Sequence, residues 1–157
     1  MKIRLIAIGK TDATYIAEAI AVYEKRLKYY IPFEIKYLPD IKNAKNLSAE
    51  QQKEQEGVSI LAQINNGDDV ILLDEAGKMY SSVEFSQLIE KKTQSSAKTL
   101  VFVIGGPYGF SPDVYSKAKA RLSLSPMTFT HQMVRLLFVE QLYRAFTIIK
   151  GESYHHV

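Results

Sequence analysis

The side chains that could move a proton, hold an anion or stack on a base crowd into the last third of this chain. All three histidines, His131, His155 and His156, lie there. Arg135 and Arg144 lie there too, on what reads as one long helix. Imidazole suits proton transfer near neutral pH. Guanidinium suits phosphate, or negative charge developing on a substrate. His131 and Arg135 are four apart and share a helix face. Glu140 and Arg144 have the same spacing, for which a surface ion pair is the ordinary explanation. From Ser116 onwards there are six Lys/Arg against two Glu, whereas the rest of the chain holds fourteen against fifteen. A basic end fits an anionic partner; it also fits a solvated basic face.

Two segments could cradle a ligand. Gly105-Gly106-Pro107-Tyr108-Gly109 follows an apolar strand pattern and precedes a short helix. Glycines allow a ligand to approach the backbone closely. The run is neither G-x-G-x-x-G nor a P-loop, which argues against dinucleotides and triphosphates. A side chain at Gly105 is expected to enter the ligand's space. The second segment, LSLSPMTFTHQM from Leu122, joins a strand to the last helix and carries Leu124, Met127 and Phe129. Such an apolar loop is either a packed connector or a wrap around a flat, partly apolar ligand. The closing Tyr154-His155-His156 reads as an ordinary tail, and as metal ligands the two histidines lack a third. No hydrolase triad, paired carboxylate or metal-ligand spacing emerges, so no metal is expected.

The elements that must position these groups follow from periodicity. Ile3–Ile8, Phe33–Leu38, Val70–Leu73, Thr99–Ile104 and Arg121–Leu124 read as strands, and mostly as unbroken apolar runs. Helical patterns span 13–30, 48–64, 112–120 and 131–149, and a further one opens at Ser81 with Phe85, Leu88 and Ile89 inward. Ser48 with Gln51, and Ser81 with Glu84, are capping boxes. The polar run AEQQKEQE, from Ala49 to Glu56, is expected to face solvent. Asp74–Tyr80 is expected to be a loop turning at Gly77. The alternation implies one α/β domain over 1–157, a parallel sheet with helices on both faces. Such sheets bind ligands beyond the carboxyl ends of their strands, here after Leu73, Ile104 and Leu124. The last helix is apolar over most of its circumference and needs cover on several sides. With 46% hydrophobic and 24% charged residues, no cysteine, and no apolar run of membrane-spanning length or secretory pattern, the expected setting is cytoplasmic. Absence of cysteine excludes thiolate metal sites and a thiol nucleophile.

Several of these segments together resemble the RlmH family of small SPOUT-class methyltransferases. They are Ile104-Gly105-Gly106-Pro107-x-Gly109, Ser125-x-Met127-Thr128-x-x-His131-Gln132-x-x-Arg135, Glu140-Gln141-x-Tyr143-Arg144-Ala145 and Tyr154-His155. Met1-Lys2-Ile3 through Gly9-Lys10, and Tyr23-Glu24-Lys25-Arg26-Leu27, are similar too. Family members commonly have proline where this chain has Thr130, which can still cap the helix. The resemblance implies a SPOUT fold with a C-terminal trefoil knot, a homodimer, and methylation of N3 of a pseudouridine in large-subunit (23S) ribosomal RNA. It implies S-adenosylmethionine as co-substrate, held by Leu73, Gly105, Leu124, Ser125, Pro126, Met127, Thr128 and Phe129.

On that reading the chain mainly holds methyl donor and acceptor in line. Arg144, His155 and His131 are the candidates for catalysis. One of the histidines would receive the acceptor's proton, or Arg144 would stabilise the uracil anion. Arg135, Arg144, Tyr154 and His155 are expected to meet RNA, either free or in an assembled ribosome. The rivals are a non-catalytic RNA- or ribosome-binding module using the same basic end, and a small-molecule binder. An apolar donor pocket at 124–129 separates the enzyme from the RNA module.

Overall fold

Five extended runs form one sheet; the run 99–104 at its centre is buried at every position, while the edge run 33–38 exposes Glu34, Lys36 and Tyr37. A computed structural model describes residues 1–156. The strands are β1 (Lys2–Ile8), β2 (Phe33–Leu38), β3 (Asp69–Met79), β4 (Thr99–Ile104) and β5 (Ala120–Ser123). They lie in the order β2-β1-β4-β3-β5, and every pairing is parallel. The helices are α1 (Thr14–Leu27), α2 (Ala49–Leu61), α3 (Ser82–Thr93), α4 (Pro112–Lys117) and α5 (His131–Ile149). Alternate strand residues feed two cores. Ile3, Leu5, Leu100, Phe102 and Ile104 join Phe138, Leu142 and Phe85 on the face covered by α1, α3 and α5. Ile6, Val101, Val103, Val70 and Leu72 join Ile60 and Val114 on the face covered by α2 and α4. The expected α/β architecture with helices on both faces is therefore present.

Helix starts follow local chemistry. Ser48 and Ser81 form the two expected capping boxes, with Gln51 and Glu84. Thr130 caps α5 by accepting from the Met133 amide at 3.2 Å. Helix α5 is pinned to β4 by Phe138, whose ring centroid lies 4.7 Å from that of Phe102. Burying a side chain of this size contributes about 1.5–3 kcal/mol.

Two local expectations are corrected. The strand after Asp69 does not end at Leu73. Leu73 and Lys78 both pair with Leu122, so Asp74–Gly77 bulge outward and β3 then rejoins β5. Gly77 is required there, because a Cβ would lie 2.7 Å from the backbone of Arg121 and Leu122. The polar half of α2 is also not wholly solvated, since Glu56 is buried.

Candidate methyl-donor cleft and basic tail

Strands β4, β3 and β5 are neighbours, so the loops that leave their carboxyl ends converge. They surround a cleft of about 480 Å³, within the range usual for small-molecule sites. Leu73, Gly105, Leu124, Ser125, Met127, Thr128 and Phe129 line it, as does His131. Pro126, expected among them, is not part of the lining; it bends the turn in which the Ser125 side chain accepts from the Met127 amide at 3.0 Å. The walls are apolar at Leu73, Ile104, Leu122 and Phe129, while the glycine run supplies backbone polarity. The Gly109 amide donates to the Gly106 carbonyl at 3.3 Å and closes that run into a tight turn. A Cβ on Gly105 would not enter open cleft space as expected. It would meet the ring of Phe110 at 2.8 Å, and that ring is itself a wall.

The bulge of β3 adds residues that sequence reasoning missed. Asp74 and Glu75 project at the cleft, beside Tyr108 and Tyr115. Asp74 is fixed on both oxygens: Oδ1 accepts from the Ala76 amide and Oδ2 from the Tyr115 hydroxyl, each at 2.9 Å. Arg121 stands 3.7 Å from the same Oδ2. Burial, then the bond to Asp74, pushes the Tyr115 phenol above its ordinary value. The only signal in the sequence was a pair of carboxylates directly after an apolar strand.

Arg135, expected to meet RNA, lies in the interior. It is 2% exposed, and two of its guanidinium nitrogens donate inside the chain, while Nε is buried without a partner among the described residues. Nη2 donates to the Ile8 carbonyl at 2.6 Å and Nη1 to the Thr11 hydroxyl at 3.1 Å. Gln132 accepts from the Asp12 amide at 2.8 Å and donates to the Lys10 carbonyl at 3.2 Å. These contacts bolt the first turn of α5, and with it the exit of the 124–130 loop, to the end of β1. Arg135 is thus enclosed between α5 and the end of β1 rather than presented at the surface.

The tail is folded back rather than loose. Gly151 takes a left-handed φ of 68°, and the Glu152 amide returns to the Thr147 carbonyl at 2.9 Å. Tyr154 packs edge-on to Tyr143, with centroids 4.8 Å apart, and donates to Glu140 at 2.9 Å. Burial, then the bonds to Tyr23 and Glu140, raises the Tyr154 phenol well above its ordinary value, so it stays protonated. Arg144 donates to Glu140 at 2.5 Å, lies over the Tyr154 ring at 4.7 Å, and reaches His155 Nδ1 at 3.2 Å. Guanidinium has no acceptor, so Nδ1 must carry the lone pair and a neutral His155 holds its proton on Nε2. The structure therefore brings Arg144, Tyr154 and His155 together. It leaves them far from the cleft of the same chain: thirteen residues of α5 separate Arg144 from His131, about 20 Å at 1.5 Å per residue.

A parallel α/β sheet with three strand-end loops closing one cleft matches the family described as "Predicted SPOUT methyltransferase" over residues 1–155, and the chain belongs to that family. Proteins named "Ribosomal RNA large subunit methyltransferase H" are similar from end to end. Those of Flavobacterium psychrophilum, Flavobacterium johnsoniae and Parabacteroides distasonis are 61%, 60% and 59% identical, each over 99% of both chains. A solved structure of a probable methylase family protein from Haemophilus influenzae has the same fold, with a TM-score of 0.53 at 12% identity. That match covers 95% of this chain and 66% of the other.

Proposed function

We propose that this chain transfers a methyl group from S-adenosylmethionine to N3 of a pseudouridine in large-subunit ribosomal RNA. The carrying observation is the cleft at the ends of β3, β4 and β5, whose apolar walls are joined by a glycine turn and the acidic Asp74 and Glu75. That donor set fits the group. Leu73, Leu124 and Phe129 would flank a flat base, the backbone of 105–109 would meet polar edges, and the carboxylates would offset a sulfonium and an ammonium. The bound co-substrate supplies an activated methyl, so the protein's work is alignment and exclusion of water.

Arg144 is the preferred stabiliser of the uracil anion, because its guanidinium is already anchored by Glu140. His155 orients Arg144 through Nδ1 and offers Nε2–H to the RNA. In that tautomer it has no lone pair free to act as a base. His131, exposed at the cleft, is the group open to receive the proton. Tyr154 and the basic end would hold the RNA, and a ribosomal substrate would put this chemistry in the cytoplasm.

The homodimer belongs to the same reading. Met133, Leu136 and Leu137 of α5 are only half-buried, an apolar stripe that a second copy would cover. A C-terminal trefoil knot is part of the same proposal, carried by membership of the SPOUT family.

Calorimetry with S-adenosylmethionine, in buffer with a chelator, tests the reading. Saturable binding is expected, followed by transfer of labelled methyl to pseudouridine of ribosomal RNA. An RNA-binding module would bind the RNA and take up no donor, and that outcome would remove the enzymatic reading.

A further inference from the structure

Glu56 is a buried acid that the chemistry above does not use. It is 2% exposed, on α2, behind the glycine turn rather than in the cleft. A Cβ built on Gly106 would fall inside its carboxyl group. Its Oε1 is buried and has no hydrogen-bond partner among the described residues. The next residue, Gly57, presses so closely on Ser111 that a Cβ there would strike the hydroxyl. Two consecutive residues of α2 thus back both ends of the segment 106–111. Ser111 in turn caps α4 by accepting from the Val114 amide at 3.4 Å.

The charge state follows from the surroundings. Burial pushes the carboxyl above its ordinary value and the charge of Asp40 adds to this, while a hydrogen bond from Gln52 opposes it. None of these neighbours is a cation. Burial so placed works against the charged form, and leaving one of its oxygens unpaired is costly. An apolar residue would avoid that cost, so the acid's shape and polarity call for a use.

We propose that Glu56 is a positioning residue for methyl transfer: its carboxyl occupies the space behind Gly106 and fixes the curve of the 105–109 turn that walls the donor cleft. The proposal rests on reading that cleft as the donor site. It specifies that reach and planarity matter and that charge does not. Glu56→Gln keeps both features without the charge. Glu56→Asp keeps the acid but withdraws it by one methylene from Gly106.

Full-length parent and both variants are titrated with S-adenosylmethionine by calorimetry, and their methyl transfer to ribosomal RNA is followed against donor concentration. Glu56→Gln is expected to bind within about threefold of the parent. Glu56→Asp is expected to bind roughly tenfold more weakly or worse, with KM for the donor raised and kcat recovered at saturation, the pattern of lost binding alone. Any other ranking of the two variants overturns the proposal. So does a Glu56→Asp enzyme whose kcat stays low at saturating donor. A parent that takes up no donor would instead remove the reading of the cleft, which keeps the two failures distinct.

Discussion

Arg144 is bound on three sides, and each contact narrows what it can do. Glu140 keeps the guanidinium charged, raising it above its ordinary value chiefly through their hydrogen bond. Tyr154 lies beneath its plane, and His155 takes one N–H through Nδ1. A side chain so oriented is suited to meeting charge as it develops, at little reorganisation cost. Arg144→Ala and His155→Ala are therefore expected to cut single-turnover methyl transfer by roughly 10²-fold, with donor affinity nearly unchanged. If Arg144 served only its ion pair with Glu140, the change would cost about 0.3–0.5 kcal/mol of stability and leave the rate intact. Melting and single-turnover measurements on the same samples separate the two. The spacing of Glu140 and Arg144 made the ion pair legible from the sequence. Arg135 was not legible in this way: His131 and Arg135 share a helix face by number, but only the packing of α5 onto β1 shows that the second of them points inward.

Among the elements, strand β3 departs furthest from expectation, and the departure shapes the cleft. Periodicity marked β1, β4 and α5 well because each is apolar over enough residues to exclude other readings. The segment Asp74-Glu75-Ala76-Gly77 has the composition of a turn, and a turn it is, but one inserted into a continuing strand. Pairing partners decide that, and no local pattern encodes them. The same holds for Glu56, whose polar neighbours on α2 suggest solvent while Gly57 lets the helix close on Ser111. Gly77 is the element's weak point, because a Cβ would lie 2.7 Å from the Arg121 and Leu122 backbone, which cannot give way as a side chain tip can. Gly77→Val is expected to destabilise the fold by about 1–3 kcal/mol through overpacking. It should also weaken donor binding, because Asp74 and Glu75 move with the bulge. Urea unfolding and donor titration on one preparation would show both effects. Unchanged donor affinity with normal stability would mean that the bulge does not set the cleft.

At the scale of the whole molecule, the two halves of the proposed site face a separation that one chain does not close. His131 and the cleft stand at the start of α5, while Arg144, Tyr154 and His155 stand about 20 Å along it. Methyl transfer needs donor and acceptor within reacting distance. A second copy running the other way along α5 would set one chain's tail over its partner's cleft. It would also cover Met133, Leu136 and Leu137. Light scattering should then report twice the chain's 17.8 kDa. Complementation gives the sharper test. A Gly77→Val chain, weakened in donor binding, and an Arg144→Ala chain, slowed by roughly 10²-fold, are co-expressed with different affinity tags, and the mixed species is purified through both. Transfer is assayed at a donor concentration at which each variant alone gives little. If the site is shared, one of its two clefts combines an intact donor loop with an intact tail, and transfer returns to about half of the parental rate per dimer. If each chain carries its own complete site, both sites of the mixed species are defective and no activity returns. A mixed dimer that binds donor yet stays inactive would place Arg144 and the cleft in the same chain's service, and the 20 Å between them would then have to close by movement of the tail.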